Sequence, residues 1–548
     1  MTREEFNLGL VHELVSTAVA DRECVVQGQH RLTYAQLSER SRRLASYLHG
    51  RGLGVHRERD QLANHESGQD HLALYLHNGS EYLEGMLGAF KSRVVPFNVN
   101  YRYVAEELRY LFTDAGAKAV IYHATFAPVL ASVRDQVPEL EVLIQVADGS
   151  GNALLPGAVD YEEMLAGSPA EQPPVEPSPD DLYMLYTGGT TGMPKGVLWR
   201  QHDIFMAAMG GRAIGTWEEV ESYSELGPKA AGGAGLRMMP LPPLMHGAAQ
   251  WASFIGMTNG GTLVMPDDTR RLDPVDVWRT AERERVNTLT VVGDAIARPL
   301  IEELERGSYD VSSVIAFGNG GAPLNPALKQ RLLDLLPTLI VSDSVGASET
   351  GAQATHVSTK GAVATGTFAP GPGAVVVSED LQRVLSPGDG EMGWLAQSGY
   401  VPLGYLGDPD KTARTFPQIA GTRYAVPGDR ARHRPDGGIE LLGRDSVTIN
   451  SGGEKIFAEE VEAAVKAHPD VYDCVVAGRP SERWGSEVVA VVQLRDGLQP
   501  DPSALRKAAA TRLARYKLPK AFVFVDEVVR SPSGKPDYRW AREVAARG

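Results

Sequence analysis

Cysteine is scarce: the 548 residues include only Cys24 and Cys474, far apart and in no metal or redox spacing. That excludes a disulfide scaffold, a Cys-rich metal centre and a Cys-x-x-Cys redox site, and leaves both thiols as reduced packing residues. No run of about 18 apolar residues occurs, so no integral membrane segment is expected. The opening MTREEFNLGLVHELV is too charged for a secretory signal, and cytoplasmic localisation is the expectation. Positive charge is in deficit, 54 Lys and Arg against 69 Asp and Glu, for a net charge of −15. A balance of that sign argues against nonspecific nucleic-acid binding and against broad contact with an anionic membrane. Repeats and low-complexity tracts are missing too. What remains, 43% hydrophobic and 22% charged residues, is ordinary for a soluble globular enzyme. The length exceeds one hydrophobic core, so two or more domains are expected.

Glycine is plentiful, and most informative in Tyr186 to Gly196, YTGGTTGMPKG. Gly188, Gly189 and Gly192 allow positive φ and close approach, Thr187, Thr190 and Thr191 offer hydroxyls, and Lys195 supplies a cation. These are the parts with which a backbone holds nucleotide phosphates. A Gly-rich surface turn needs neither three threonines nor a lysine. The P-loop of NTPases is excluded, because it ends in Gly-Lys-Ser/Thr whereas Lys195 lies between Pro194 and Gly196.

Five further segments follow in order: Asp343 to Glu349 (DSVGASE), Tyr424 to Asp429 (YAVPGD), Gly443-Arg444, Gly452 to Lys455 (GGEK), and Pro532 to Lys535 (PSGK) with Arg539. Together with YTGGTTGMPKG they resemble the signatures of the adenylate-forming enzymes, the group of acyl-CoA synthetases, firefly luciferase and peptide-synthetase adenylation domains. The flanking runs LYTGGTTGMPKGVLWRQHD, MHGAAQ, INSGGEK and SPSGKPDYRW are similar to actinobacterial CoA ligases for sterol side-chain and other long or bulky acids.

The resemblance implies an α/β fold: a large N-terminal domain of several subdomains with covered sheets, and a small mobile α+β C-terminal domain. It implies ATP, Mg²⁺ and coenzyme A as cofactors, and a carboxylic acid as the other small-molecule substrate. Residues 188–192 and the threonines would wrap the β and γ phosphates, with Lys195 adding charge. Glu349 would hold the metal, since Mg²⁺ on phosphates takes one carboxylate and several waters. Gly321, Ala322 and Pro323 would wall the adenine, Asp343 would accept from its amino group, and Ser344, Val345 and Ser348 would complete the ATP site. Asp429 suits the ribose diol, and Arg444 would assist. Lys535 would bridge the acid oxygen and the α-phosphate. Gly452, Gly453, Glu454 and Lys455 would line the CoA tunnel, and His246 would gate the acid. Met245, Gly247, Trp251, Gly293, Asp294, Gly318 and Gly346 form the acyl pocket on this reading, their small walls pointing to a long or bulky acid. Asp445 or Ser446 would be the hinge, and a homodimer accords with relatives. Taken singly, Glu349 reads as a solvated helix-start acid, Asp429 as a turn residue, Lys535 as a surface lysine and His246 as a core histidine.

Departures from the family pattern are Gly188 for serine, Val345 for the tyrosine that stacks on adenine, Ser446 at the pivot and Asn319 in FGNGGAPL. The leading activity is an AMP-forming acyl-CoA ligase for a steroid side-chain or long-chain acid. Alternatives are an aryl or medium-chain acid ligase, an acyl-AMP ligase loading a carrier protein, a luciferase-like monooxygenase and a nonenzymatic ATP-binding protein.

Local patterns place the motifs. Thr33 to Gln36 forms a capping box, with Leu32 and Leu37 as its staple, opening a helix to Gly50. Val104 to Thr113 reads as helix, and 72–76, 119–122, 142–146 and 182–186 as strands. Segment 51–70, rich in His and Arg, and Trp217 to Gly235 read as loops. His56, His65, His71 and His77 are too irregularly spaced for a metal site. Arg430 to Leu442 reads as a hairpin turning at 435–438. The boundary falls between 443 and 444, followed by helix 458–467, strands 471–477 and 487–494, and helix 502–513.

Overall fold

Unbroken apolar runs build parallel strands covered on both faces. In the computed structural model, residues 3–189, 192–213, 215–363, 366–451, 454–481, 485–531 and 534–547 are described, without the side chains of 188, 189, 192, 446, 454 and 455. Strand His71–Tyr75 is buried throughout and lies between Val95–Asn98 and Ala117–His123 in a parallel five-stranded sheet. Helix Tyr34–Gly50 packs over this region, opened by the expected box: Thr33 Oγ1 accepts from Gln36 N–H at 3.2 Å, and Gln36 Oε1 from Thr33 N–H at 2.8 Å. Helix Ala105–Ala115 starts at Val104, whose N–H donates to Glu107, and ends on left-handed Gly116.

A thirteen-stranded sheet forms the second layer. Strands Glu23–Gln27, Thr262–Met265, Arg237–Pro240, Thr288–Val291, Ala316–Gly320 and Ile340–Ala347 run parallel. Antiparallel strands from Gly351–Ser358 onward extend it, including the expected hairpin of Asp429–His433 with Ile439–Arg444. Parallel order puts the carboxyl ends of Thr288–Val291, Ala316–Gly320 and Ile340–Ala347 on one edge. Ligands of open α/β sheets bind at such an edge.

Residues from Val447 to Ala545 bury a core of their own. Strands Val471–Ser481 and Gly485–Leu494 form a long hairpin, Ala521–Phe524 adds in parallel, and helices Ala458–Lys466 and Tyr538–Arg547 cover it. The molecule is therefore mixed α/β, with a large N-terminal and a small C-terminal part.

Three local readings are corrected. Segment 217–235 is not all loop, because Leu226–Gly232 is a helix that buries Leu226 and Ala230. Helix Pro502–Ala509 stops short of Leu513. His71 is a strand residue, buried between Ser67 and the Ala115 carbonyl, while His56 lies 2.7 Å from Asp70. Among the described residues no three His, Cys, Asp or Glu side chains could share a metal, and no helix is long and apolar enough to cross a membrane. Cys24 and Cys474 are free and buried.

Candidate active site

The glycine-rich motif is the end of a β-hairpin. Strand Leu182–Gly189 runs past Tyr186 and pairs antiparallel with Gly192–Arg200, setting Thr187 opposite Lys195. Thr190 and Thr191, and the side-chain positions at Gly188, Gly189 and Gly192, lie outside the described residues. Lys195 Nζ is 3.3 Å from Asp114, which also accepts from Tyr110 at 3.2 Å and Tyr186 at 2.8 Å. Burial works to lower the Lys195 pKa, but Asp114 and Tyr110 outweigh it and hold it above its ordinary value. Asn98, at the end of its strand, receives the Tyr186 N–H at 2.7 Å and donates to the carbonyls of Tyr186 and Met245 at 2.9 and 2.7 Å.

The expected adenine wall follows strand Ala316–Gly320. Gly321 has φ +80°, open to glycine, and a Cβ there would lie 3.5 Å from Lys535 Cε. Asn319, the departure from the family pattern, braces the wall: it donates to Ala322 O at 3.0 Å and to Asp343 at 2.8 Å, and accepts from Gly293 N–H at 2.7 Å. Asp343 also pairs with buried Lys329 at 2.7 Å. Both its oxygens are thus engaged, and an adenine amino group would have to use a further lone pair. Ser344 lies opposite Gly320 in the sheet, and Val345 packs toward the small core around Val376 and Leu395.

Glu349 sits in the turn between Ile340–Ala347 and Gly351–Ser358, where Tyr405 O–H donates to Oε1 at 2.8 Å. Beside it, Ser348 O accepts from the Trp199 indole at 2.9 Å. Asp429 accepts from Arg444 Nε across the hairpin at 3.0 Å, and this carboxylate raises the Arg444 pKa. Lys535 reaches into the same cleft from the small C-terminal part. Lys535 is exposed along the open cleft, with Arg444, Glu349 and Asp429 close enough to act on its charge. Burial, then Arg444, pulls its pKa down to about 8 against the pull of Glu349 and Asp429. Arg530 stiffens the loop beneath it, pairing with Asp473 at 2.6 and 2.7 Å and donating to Gly534 O at 2.9 Å.

His246 precedes helix Gly247–Thr258. Its Nε2 is buried without a hydrogen-bond partner, and burial, followed by Lys535 and Arg102, lowers its pKa to about 3. The imidazole is therefore neutral, within the field of the lysine. Three of the glycines expected in the acyl pocket have close neighbours. A Cβ at Gly293 would lie 2.8 Å from Ala322, one at Gly346 2.2 Å from Gly351 O, and one at Gly247 2.7 Å from Leu185 and 3.2 Å from Trp251. Only Gly318 would meet ordinary contact, 3.5 Å from Thr290. Asp294 receives Asn325 N–H at 2.7 Å and lies 3.2 Å from Lys466. Gly452 and Gly453, and the side chains of Glu454, Lys455 and Ser446, lie outside the described residues. Asp445 accepts from Arg430 at 3.0 Å.

A family model described as AMP-binding enzyme matches residues 13–406, and its C-terminal domain model matches 460–535. The chain belongs to the AMP-binding enzyme family. A medium-chain acyl-CoA ligase, Mig, of Mycobacterium avium is 60% identical, with 100% of each chain covered. A 3-oxocholest-4-en-26-oate CoA ligase of Rhodococcus rhodochrous is 41% identical over 98% of this chain and 94% of its own. In fold, this AMP-binding enzyme is similar to the anthranilate CoA ligase AuaEII bound to anthranoyl-AMP, with TM-score 0.81 at 20% identity and 99% and 97% coverage. Sequence reasoning missed Asn98, Asp114, Tyr405, Lys329 and the Arg530–Asp473 pair. Asn98, Asp114 and Tyr405 reach their sites from distant points of the chain, while Lys329 and Arg530 lie nearer in sequence but in no motif that marks them.

Proposed function

We propose that this AMP-binding enzyme is an acyl-CoA ligase, joining a hydrophobic carboxylic acid to CoA through an acyl-adenylate and releasing AMP and pyrophosphate. The entry of Lys535 into the cleft that holds Gly321, Glu349, Asp429 and Arg444 carries the reading. Attack of a carboxylate oxygen on the α-phosphorus, with loss of pyrophosphate, brings two anions together, so the site must supply cations and alignment. Lys535 would meet the charge shifting between acid and α-phosphate, and Lys195 the charge further along the triphosphate. Asp429, steadied by Arg444, would orient the ribose. The neutral His246 would sit against the acid without drawing it into an ion pair.

Glu349 fits a magnesium ligand, because Tyr405 takes one oxygen and leaves the other for a cation shared with phosphates. Magnesium bound there supplies charge neutralisation. Thioester formation then needs the CoA thiol to attack the adenylate carbonyl carbon, expelling AMP, while Lys535 withdraws. Rotation of residues 444–548 about Asp445 or Ser446, bringing 452–455 to the cleft, meets both needs. We place the enzyme in the cytoplasm, with its ATP and CoA.

For the acid, we infer a medium-chain substrate. Close packing at Gly247, Gly293 and Gly346 weakens the argument for a bulky group, and the 60% identical relative is named for medium-chain acids. A sterol side-chain acid is the second reading, favoured by the 41% identical relative. Incubation with ATP, Mg²⁺ and medium-chain, long-chain, steroid and aryl acids, with and without CoA, tests both through pyrophosphate release and thioester mass. Adenylate that CoA never converts to thioester would give way to the carrier-loading reading.

A further inference from the structure

Helix Gly293–Arg306 carries Asp294, Arg298 and Glu302 at intervals of four, hence on one face. That face meets the small C-terminal part. Asp294 lies 3.2 Å from Lys466, Arg298 stacks over Tyr472 at 5.1 Å, and Glu302 pairs with Arg495 at 3.0 Å. The same helix touches the catalytic loop at its start, since a Cβ on Gly534 would lie 2.9 Å from Val292 O and 3.3 Å from Ala295. Whatever holds this helix face to the C-terminal part thereby holds Lys535 beside Gly321.

Each ionic member also has a partner on its own side. Asp294 keeps Asn325 N–H and Arg298, Glu302 keeps Arg306 at 3.9 Å, Arg495 keeps Pro469 O at 3.0 Å, and Lys466 keeps the fields of Asp473 and Glu462. Each charge thus keeps an opposite charge or an acceptor near it on separation, which softens the usual penalty for parting such pairs.

We propose that Asp294–Lys466, Arg298–Tyr472 and Glu302–Arg495 form a releasable latch whose members are positioning residues for adenylate formation and take no part in thioester formation. The proposal rests on the two-step ligase reading above.

The test uses Glu302→Arg, Arg495→Glu and the doubly exchanged protein, with Lys466→Met as a second probe. Acid-dependent pyrophosphate release measures the first step, and thioester formation from supplied acyl-adenylate and CoA the second. Each single exchange is expected to slow the first step about fivefold, the upper range for a partly exposed pair, and to leave the second step intact. The double exchange should restore the first step. Lys466→Met, which breaks a more buried pair, should slow it at least as much. Equal loss in both steps, an unchanged first step, or no recovery in the double exchange overturns the latch.

A second readout is independent of catalysis. Energy transfer between dyes on Leu335→Cys and Leu498→Cys, both exposed while the native cysteines are buried, reports the population of this arrangement without substrates. The single exchanges should lower that population, and no change would overturn the latch. A wild-type protein that gives no thioester with any acid would remove the ligase reading while the dye measurement still decided the latch.

Discussion

At the residue scale, Lys535 combines a tethered loop with a cleft that lowers its basicity. The ammonium is the useful form, so adenylate formation should hold below pH 8 and fall as pH rises through about 8. Pyrophosphate release against pH measures this. Lys535→Arg, which does not deprotonate in that range, should lose the alkaline fall in whatever activity remains. Lys535→Ala should slow adenylation on the order of 10²–10³-fold and leave thioester formation from supplied adenylate near normal. An equal loss in both steps would contradict the assignment. Glu349 and Asp429 were legible as motif members, yet the groups that steady them, Tyr405 and Arg444, differ in visibility. Arg444 belongs to a motif of its own, whereas Tyr405 lies 2.8 Å from Glu349 only because distant strands meet.

At the element scale, the legible features were those with local causes. The capping box at Thr33 and Gln36 and the hairpin after Asp429 each write their signal within a few residues. Helix Leu226–Gly232 did not, because its short Ala- and Gly-rich stretch gains its order from burying Leu226 and Ala230. The acyl glycines carry an equally ambiguous signal: small residues accommodate either a ligand or a neighbouring strand, and the sequence does not tell which. Gly346 gives the sharpest case. A methyl there would lie 2.2 Å from the Gly351 carbonyl inside the hairpin that carries Glu349. Gly346→Ala should therefore destabilise the protein by about 3 kcal/mol, visible in its urea midpoint, and weaken nucleotide binding alongside. A stable variant with altered acid preference would support Gly346 as part of the acyl pocket.

At the scale of the whole molecule, the separate core after residue 447 gives the C-terminal part the means to move as a unit. Protein ending at Gly443 should still bind ATP, by calorimetry, but release no pyrophosphate in response to acid, since Lys535 is gone. In the intact protein a thiol reagent should find neither Cys24 nor Cys474 until denaturant is added, because both are fully buried. Labelling of either under native conditions would mean that its core opens.

Asn98 ties the backbone of Tyr186, on the strand proposed to hold the phosphates, to that of Met245, next to the proposed acid gate His246. Two ligands gripping opposite ends of one rigid tie should bind cooperatively, and thermodynamic reciprocity requires each to favour the other by the same factor. Isothermal titration of a nonhydrolysable nucleotide with and without acid should show that mutual enhancement. In Asn98→Ala the two affinities should become independent.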